Sequence, residues 1–169
     1  MLSITIVKIK DVLRNKKKLE EKLNAIINLK GNSLTIETDP FNEYEAQRLF
    51  DAINLGFSVE KALKVLDEEN NFIKINIKDY ANTKNLEVVR SRLIGTNGKT
   101  KKTIEEITKC DVSIHDNQVG IIGPAEITES ALTSITSIIK GTKQANAYKY
   151  LERMNTQKKE KPSKKLRFK

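Results

Sequence analysis

The 169-residue chain has one cysteine, one histidine, three prolines, seven glycines and no tryptophan. The single Cys110 excludes a disulfide framework and a multi-cysteine zinc site. The single His115 excludes a His-rich metal cluster. No apolar run reaches the ~18 residues that a membrane span needs. The opening Met1-Leu2-Ser3-Ile4-Thr5-Ile6 lacks the basic region and small-residue cleavage site of a secretory leader. With 38% apolar and 31% charged residues, the composition is too polar for a membrane protein. It is too rich in Ile, Leu and Val for disorder throughout. The expectation is a basic, cytoplasmic protein of one ordinary domain or two small ones.

What the chain does have is positive charge, 31 Lys and Arg against 22 Asp and Glu, for a net +9. Residues 1–70 hold 11 basic and 12 acidic side chains, residues 71–154 hold 13 and 9, and residues 155–169 hold 7 and 1. The whole excess therefore lies after residue 70. A one-sided surplus is the footprint of a polyanionic partner. Acidic lipid fits less well, because no basic segment is also strongly amphipathic.

The pattern along the chain repeats. Ser3–Ile9 is β-branched and reads as a strand. Asp11 to Ala25 is rich in Lys, Glu and Leu, with Leu19 and Leu23 on one helical face. Ala25–Leu29 and Leu34–Thr38 flank Lys30-Gly31-Asn32-Ser33 as a hairpin. Asp39-Pro40 then opens a helix, Asp as N-cap and Pro at the first position, that runs to Gly56. Ser58 begins another. In the second half Phe72–Lys78 alternates as a half-buried strand. Asn85–Ile94 and Lys99–Lys109 read as helices around a glycine turn. Asp111–His115 and Val119–Ile122 form a second hairpin around Asp116-Asn117-Gln118. Gly123-Pro124 opens a helix ending at Gly141. Strand, helical stretch, hairpin and helix occur twice, with little identity between the copies. From first strand to last hairpin strand copy one takes 30 residues (Ile4 to Leu34) and copy two 46 (Ile73 to Val119). Glu152 onward turns polar, and 156–169 reads as a disordered basic tail, either an RNA-binding arm or a solubilising one.

The chemistry is concentrated between Arg90 and Ile107. Gly95-Thr96-Asn97-Gly98 follows an Ile-Gly step, is flanked by bases, and links two short helices ahead of a hairpin. That context is the Gly-x-x-Gly clamp of the K-homology (KH) single-stranded RNA-binding modules. Gly95 and Gly98 allow a sharp turn and close approach of a sugar-phosphate chain. The turn feeds the amino terminus of the next helix, whose N–H groups and dipole favour phosphate. Arg90, Arg92, Lys99, Lys101 and Lys102 add charge. Leu93, Ile94, Ile107, Val112 and Ile114 are the candidate floor for bases, whose edges would meet backbone near Ser113 and Ile114. A Walker phosphate loop is excluded, since Gly98-Lys99-Thr100 lacks the four-residue gap and the segment before it is helical in pattern rather than a buried strand.

The second half resembles a particular family. Leu93-Ile94-Gly95, Gly98-Lys99-Thr100, Lys102–Thr108, Asp111–Ile114 and Val119 to Gly123 are similar to the archaeal KH-domain RNA-processing proteins related to the eukaryotic Partner-of-Nob and Krr small-subunit assembly factors. Asp51-Ala52-Ile53-Asn54-Leu55-Gly56-Phe57 adds to the resemblance, which covers roughly residues 1–153. It implies an α+β protein of two tandem eukaryotic-type (type I) KH domains, at 1–70 and 71–155. Each would be a three-stranded antiparallel sheet packed on helices, the first degenerate and the second competent for RNA. It implies a non-catalytic, cofactor-free role near the 3′ end of 16S (pre-)rRNA. The implied partners are the 3′-end endonuclease and archaeal initiation factor two, with no membrane or small-molecule substrate. Lys101 stands where many KH modules carry an apolar residue, and Lys109 where glycine commonly ends the helix. Gln144, Ala147 and Tyr148 replace a family His and Val-Tyr.

The remaining candidates have plainer readings. His115 sits at a hairpin edge and Cys110 reads as a small buried hydrophobe. Glu105-Glu106 reads as a solvated helix face rather than an acid–base pair. Arg14-Asn15-Lys16-Lys17-Lys18 occupies the place of a clamp in copy one without its glycines. A second functional reading is a protein-interaction scaffold in which RNA is secondary.

Overall fold

A computed structural model describes residues 1–160. Strand β1 (Leu2–Thr5) is followed by helices α1 (Ile9–Arg14) and α2 (Lys16–Leu23), then by β2 (Ile26–Lys30), β3 (Ser33–Glu37), α3 (Pro40–Asn54) and α4 (Val59–Ala62). The second half runs β4 (Asn70–Asn76), α5 (Leu86–Ile94), α6 (Lys99–Thr108), β5 (Asp111–His115), β6 (Gln118–Pro124), α7 (Ala125–Lys140) and α8 (Gln144–Glu160). Two three-stranded antiparallel sheets result, ordered β1-β3-β2 and β4-β6-β5, each packed on helices. This is the expected α+β arrangement.

Local chemistry sets the boundaries. Asp39 caps α3 by accepting from the Asn42 N–H at 2.9 Å, with Pro40 at the first position. Those bonds hold the Asp39 carboxylate below its ordinary pKa. Asn85 caps α5 in the same way through Val88. The strand expected over Ser3–Ile9 stops at Thr5, because Ile6 turns its N–H to the Asn32 carbonyl and Ile9 already starts α1. The helix expected over Asp11–Ala25 breaks at Asn15, whose side chain bonds back to the Asp11 carbonyl. The fourth strand begins two residues early, at Asn70, and ends at Asn76, where Ile77 donates to the Asn117 carbonyl. Helix α8 corrects the expected tail. It buries Ala147 and Leu151 and continues through 156–160 as helix. The rest of that expected tail, 161–169, lies outside the described residues.

The two halves superpose in hydrogen bonding as well as order. Ile4 faces Leu34 and Ile75 faces Val119, so the matching span in copy two starts at Ile75, not Ile73. Ile6 and Ile77 each donate to the second turn residue of the hairpin, Asn32 or Asn117. Helices α2 and α6 each end on a left-handed residue, Asn24 or Lys109. Gly56 and Gly141, at φ +111° and +115°, close α3 and α7 alike.

Two hydrophobic cores form, one per sheet, but they meet. Ile122 of β6 packs in the first core, and Phe57 meets Phe72 edge to face at 6.4 Å. Ser113 Oγ donates to the Leu55 carbonyl at 2.9 Å. Lys64 and Lys61 hold Asp111 at 2.7 and 3.3 Å. The α3–α4 corner thus backs strands β5 and β6.

Candidate nucleic-acid interface

The glycine turn ends α5 and starts α6. Gly95 has φ +75° and ψ 172°, Asn97 has φ +53° and Gly98 φ +75°, conformations that favour glycine or asparagine. The two glycines differ in surroundings. A Cβ on Gly95 would lie 2.3 Å from Thr100 Oγ1 and 2.6 Å from the Thr100 backbone nitrogen. A Cβ on Gly98 would meet nothing within 4 Å. Gly95 is therefore bare so that the turn can close on buried Thr100. Gly98 presents bare backbone to open space, where a phosphate has room to approach. Among the described residues no side chain caps the α6 amino terminus, which leaves its first N–H groups for an outside acceptor. Thr96, Asn97, Lys99 and Lys102 are exposed around it.

The structure gathers only part of the candidate groove. Ile94 is 37% exposed and Ile114 is half-buried. Leu93 and Val112 are inside the second core, and Ile107 packs against that core, its carbonyl accepting from Asn155 of α8. Leu93 and Val112 are thus interior, and the apolar surface left to a base is Ile94 with the half-buried Ile107 and Ile114. Ser113 faces the other way, onto Leu55. Ser113 also stands opposite Gly120 in the ladder, and Val112 donates outward to a carboxylate. By antiparallel alternation the unpaired edge of β5 is formed by Val112 and Ile114, not Ser113. Arg90 spans from α5 to the Asp116 carbonyl in the hairpin turn at 3.2 Å. Arg92 turns to the Ile138 carbonyl of α7. Lys101 pairs with Glu105 at 3.3 Å.

Glu105 is the residue that composition and spacing hid. It is no solvated face: its Oε1 accepts the Val112 N–H at 2.9 Å and so binds α6 to the edge of β5. The same latch exists in the first half, where Glu20 accepts from Ile27 at 2.9 Å and Lys16 lies 3.8 Å from Glu20. Lys16, Glu20 and Ile27 match Lys101, Glu105 and Val112 at identical spacing. Ahead of this latch copy one lacks the turn. Buried Val12 and Leu19 are seven apart, whereas Leu93 and Ile104 are eleven apart, and the four extra residues equal the clamp. Cys110 is buried against Gly123, and burial pushes its thiol pKa up, partly offset by a bond to Thr108. His115 is half exposed beside Asp116.

Two sheets of order first-third-second with a helix–glycine turn–helix insert define a KH protein, a class built to hold single-stranded RNA. The comparisons agree. The model of the second PNO1 KH domain, a eukaryotic type KH-domain (KH-domain type I), matches residues 71–156. A KH domain-containing protein of Methanocaldococcus jannaschii is 32% identical over 145 residues, covering 82% of this chain and 64% of that protein. The RNA-binding protein pno1 of Ixodes scapularis is 28% identical over 134 residues, covering 75% of this chain and 57% of that protein. The chain thus spans somewhat more than half the length of these relatives. The crystal structure of Dim2p from Pyrococcus horikoshii matches with a TM-score of 0.80 at 30% identity, over 90% of this chain and 98% of that one. A structure of the a/eIF2alpha–aDim2p–rRNA complex from the same organism matches with a TM-score of 0.80 at 29% identity, over 92% of this chain and 94% of that one. The chain belongs to the PNO1/Dim2p family of KH-domain proteins.

Proposed function

We propose that the protein is a single-stranded RNA-binding factor of small-subunit ribosome maturation. It would act on the 3′ region of 16S (pre-)rRNA through the second KH groove and assist 3′-end processing in the cytoplasm. The observation that carries this reading is the Gly98 backbone, open on its outer face beside an uncapped helix start and exposed Lys99 and Lys102. The clamp grips phosphate, so that part of the affinity is salt-dependent and indifferent to sequence. Ile94, the half-buried Ile107 and Ile114, and the backbone edge of β5 at Ile114 supply the surface for about four bases. Initiation factor two and the 3′-end endonuclease are the proposed protein partners. The relative bound to a/eIF2alpha and rRNA supports the first of these.

The test changes Thr96 and Asn97 to Asp. Both side chains are exposed, so the fold should hold while two carboxylates face the phosphate. Affinity for a 16S 3′-end oligonucleotide should fall at least about tenfold, with a shallower salt slope. Unchanged affinity in a folded variant refutes the clamp.

A scaffold reading is favoured by one observation. Phe41 and Tyr44 are 72% and 64% exposed on α3 of the clampless half. On this reading a partner pulled down with the chain survives nuclease treatment, and Phe41→Ala with Tyr44→Ala releases it.

A further inference from the structure

The clamp has a second flank, opposite the groove, and a hollow lies there. On α5, Arg90 and Ile94 look into the groove, whereas Val88 and Arg92, two positions out of phase, lie on the opposite flank. There α5, the start of α6 and the start of α8 enclose a concavity of about 640 Å³. Gly95, Thr96, Lys99 and Thr100 of the clamp form its near wall. Val88, 50% exposed, and the half-buried Tyr148 also line it. Among the described residues that line it, Arg92 and Lys99 stand against one carboxylate, Glu87.

We propose that this hollow is a second RNA subsite, taking one base of the nucleotide that flanks the strand held by the clamp. The inference rests on the clamp reading, since Thr96 and Lys99 flank Gly98 and also line the hollow, so a chain gripped at Gly98 has its neighbouring nucleotide within reach of it. Three features match that occupant. The ring of Tyr148 and the Val88 side chain offer an apolar face of the kind that stacks a base without choosing among bases. The charge balance beside them favours phosphate. Gln144 and Ser91 stand at the margin as groups able to meet base edges. The primary groove has no aromatic side chain among its candidate residues, so stacking energy would come from Tyr148.

The experiment measures binding of the full chain to a four-nucleotide oligomer and to versions extended by two nucleotides at the 5′ or the 3′ end. Extension at one end should raise affinity about tenfold, the scale of one stacked base. Tyr148→Ala should remove that gain while leaving the tetramer unaffected, and Tyr148→Phe should keep it. Because Tyr148 also borders the second core, Val88→Asp provides an independent variant at an exposed position, with the same selective loss expected. The subsite is refuted if neither extension gains affinity, or if both variants weaken tetramer and extended oligomers equally. Asn97→Asp, at a clamp position outside the lining of the hollow, separates the two readings. It should weaken every oligomer, and if it weakens none while Tyr148→Ala still removes the extension gain, the clamp reading fails and with it the placement of the hollow as its flanking subsite.

Discussion

Gly95 and Gly98 share a φ of +75° but should respond differently to substitution. At Gly98 a methyl group meets nothing within 4 Å, so Gly98→Ala incurs only the left-handed backbone penalty of about 1–2 kcal/mol. At Gly95 the methyl would also overlap the Thr100 backbone, which cannot swing aside as a side-chain end could. Thermal melts should show Gly98→Ala mildly destabilised and still folded, with RNA affinity reduced because the open face is filled. Gly95→Ala should lose markedly more stability. The sequence pattern marked both glycines as a pair, yet it could not separate them, because the difference lies in the position of Thr100. Cys110 makes a second residue-scale case. Desolvation favours its neutral thiol, so the folded state holds that proton more tightly than the unfolded chain does. The resulting stability is complete below the unfolded value of about 8.5 and declines as pH rises past it. A thiol reagent near pH 8 should label Cys110 only as fast as the chain opens, and rapid labelling of folded protein would contradict the burial.

At the scale of elements, the informative unit is the carboxylate latch between α6 and β5. Val112 lies at a sheet edge, where its N–H has no strand partner, and Glu105 satisfies it while also pairing with Lys101. Glu105→Ala leaves a part-buried donor unpaired, a loss of roughly 1–3 kcal/mol. Glu20→Ala should behave alike at Ile27. Glu105→Gln keeps an acceptor but frees Lys101 from its counter-charge, so it should retain most stability and raise RNA affinity at low salt, read by the same oligonucleotide titration. Most helices and both hairpins were legible, because Asp39-Pro40, Asn85 and the turn residues are short-range signals. The ends that shifted depend on distant partners. Thr5 ends β1 because Ile6 finds Asn32, and Asn76 ends β4 because Ile77 finds Asn117. Helix α8 was hidden for the same reason. Half of its positions with described burial are exposed, and among those described only Ala147 and Leu151 are buried, so its helicity follows from docking on α6 and α7.

Across the whole molecule, the clampless half supports the strand that frames the groove. Its α3–α4 corner carries Leu55 and Phe57 against Gly120, where a Cβ would come within 2.2 Å of Leu55 and 2.8 Å of Phe57. Gly56 is also close, its missing Cβ 2.8 Å from Ser113 Oγ. Asp111 and Ser113, on the face of β5 away from the groove, are held by Lys61, Lys64 and Leu55. The charge division along the sequence, neutral first and basic after, suggested one half for RNA and one for protein. The packing makes that division incomplete, since moving the corner moves the wall that bases lie against. Two consequences can be measured together. The two cores should unfold in one transition, because Ile122 of the second sheet sits in the first core. Gly120→Val should force Leu55 and Phe57 off the sheet, at a cost of about 1–3 kcal/mol for overpacking. It should also weaken RNA binding, although Gly120 lies on the far side of the sheet from the clamp. A Gly120→Val protein that melts earlier yet binds RNA with unchanged affinity at a temperature where it is folded would show that β5 holds its position without the first half.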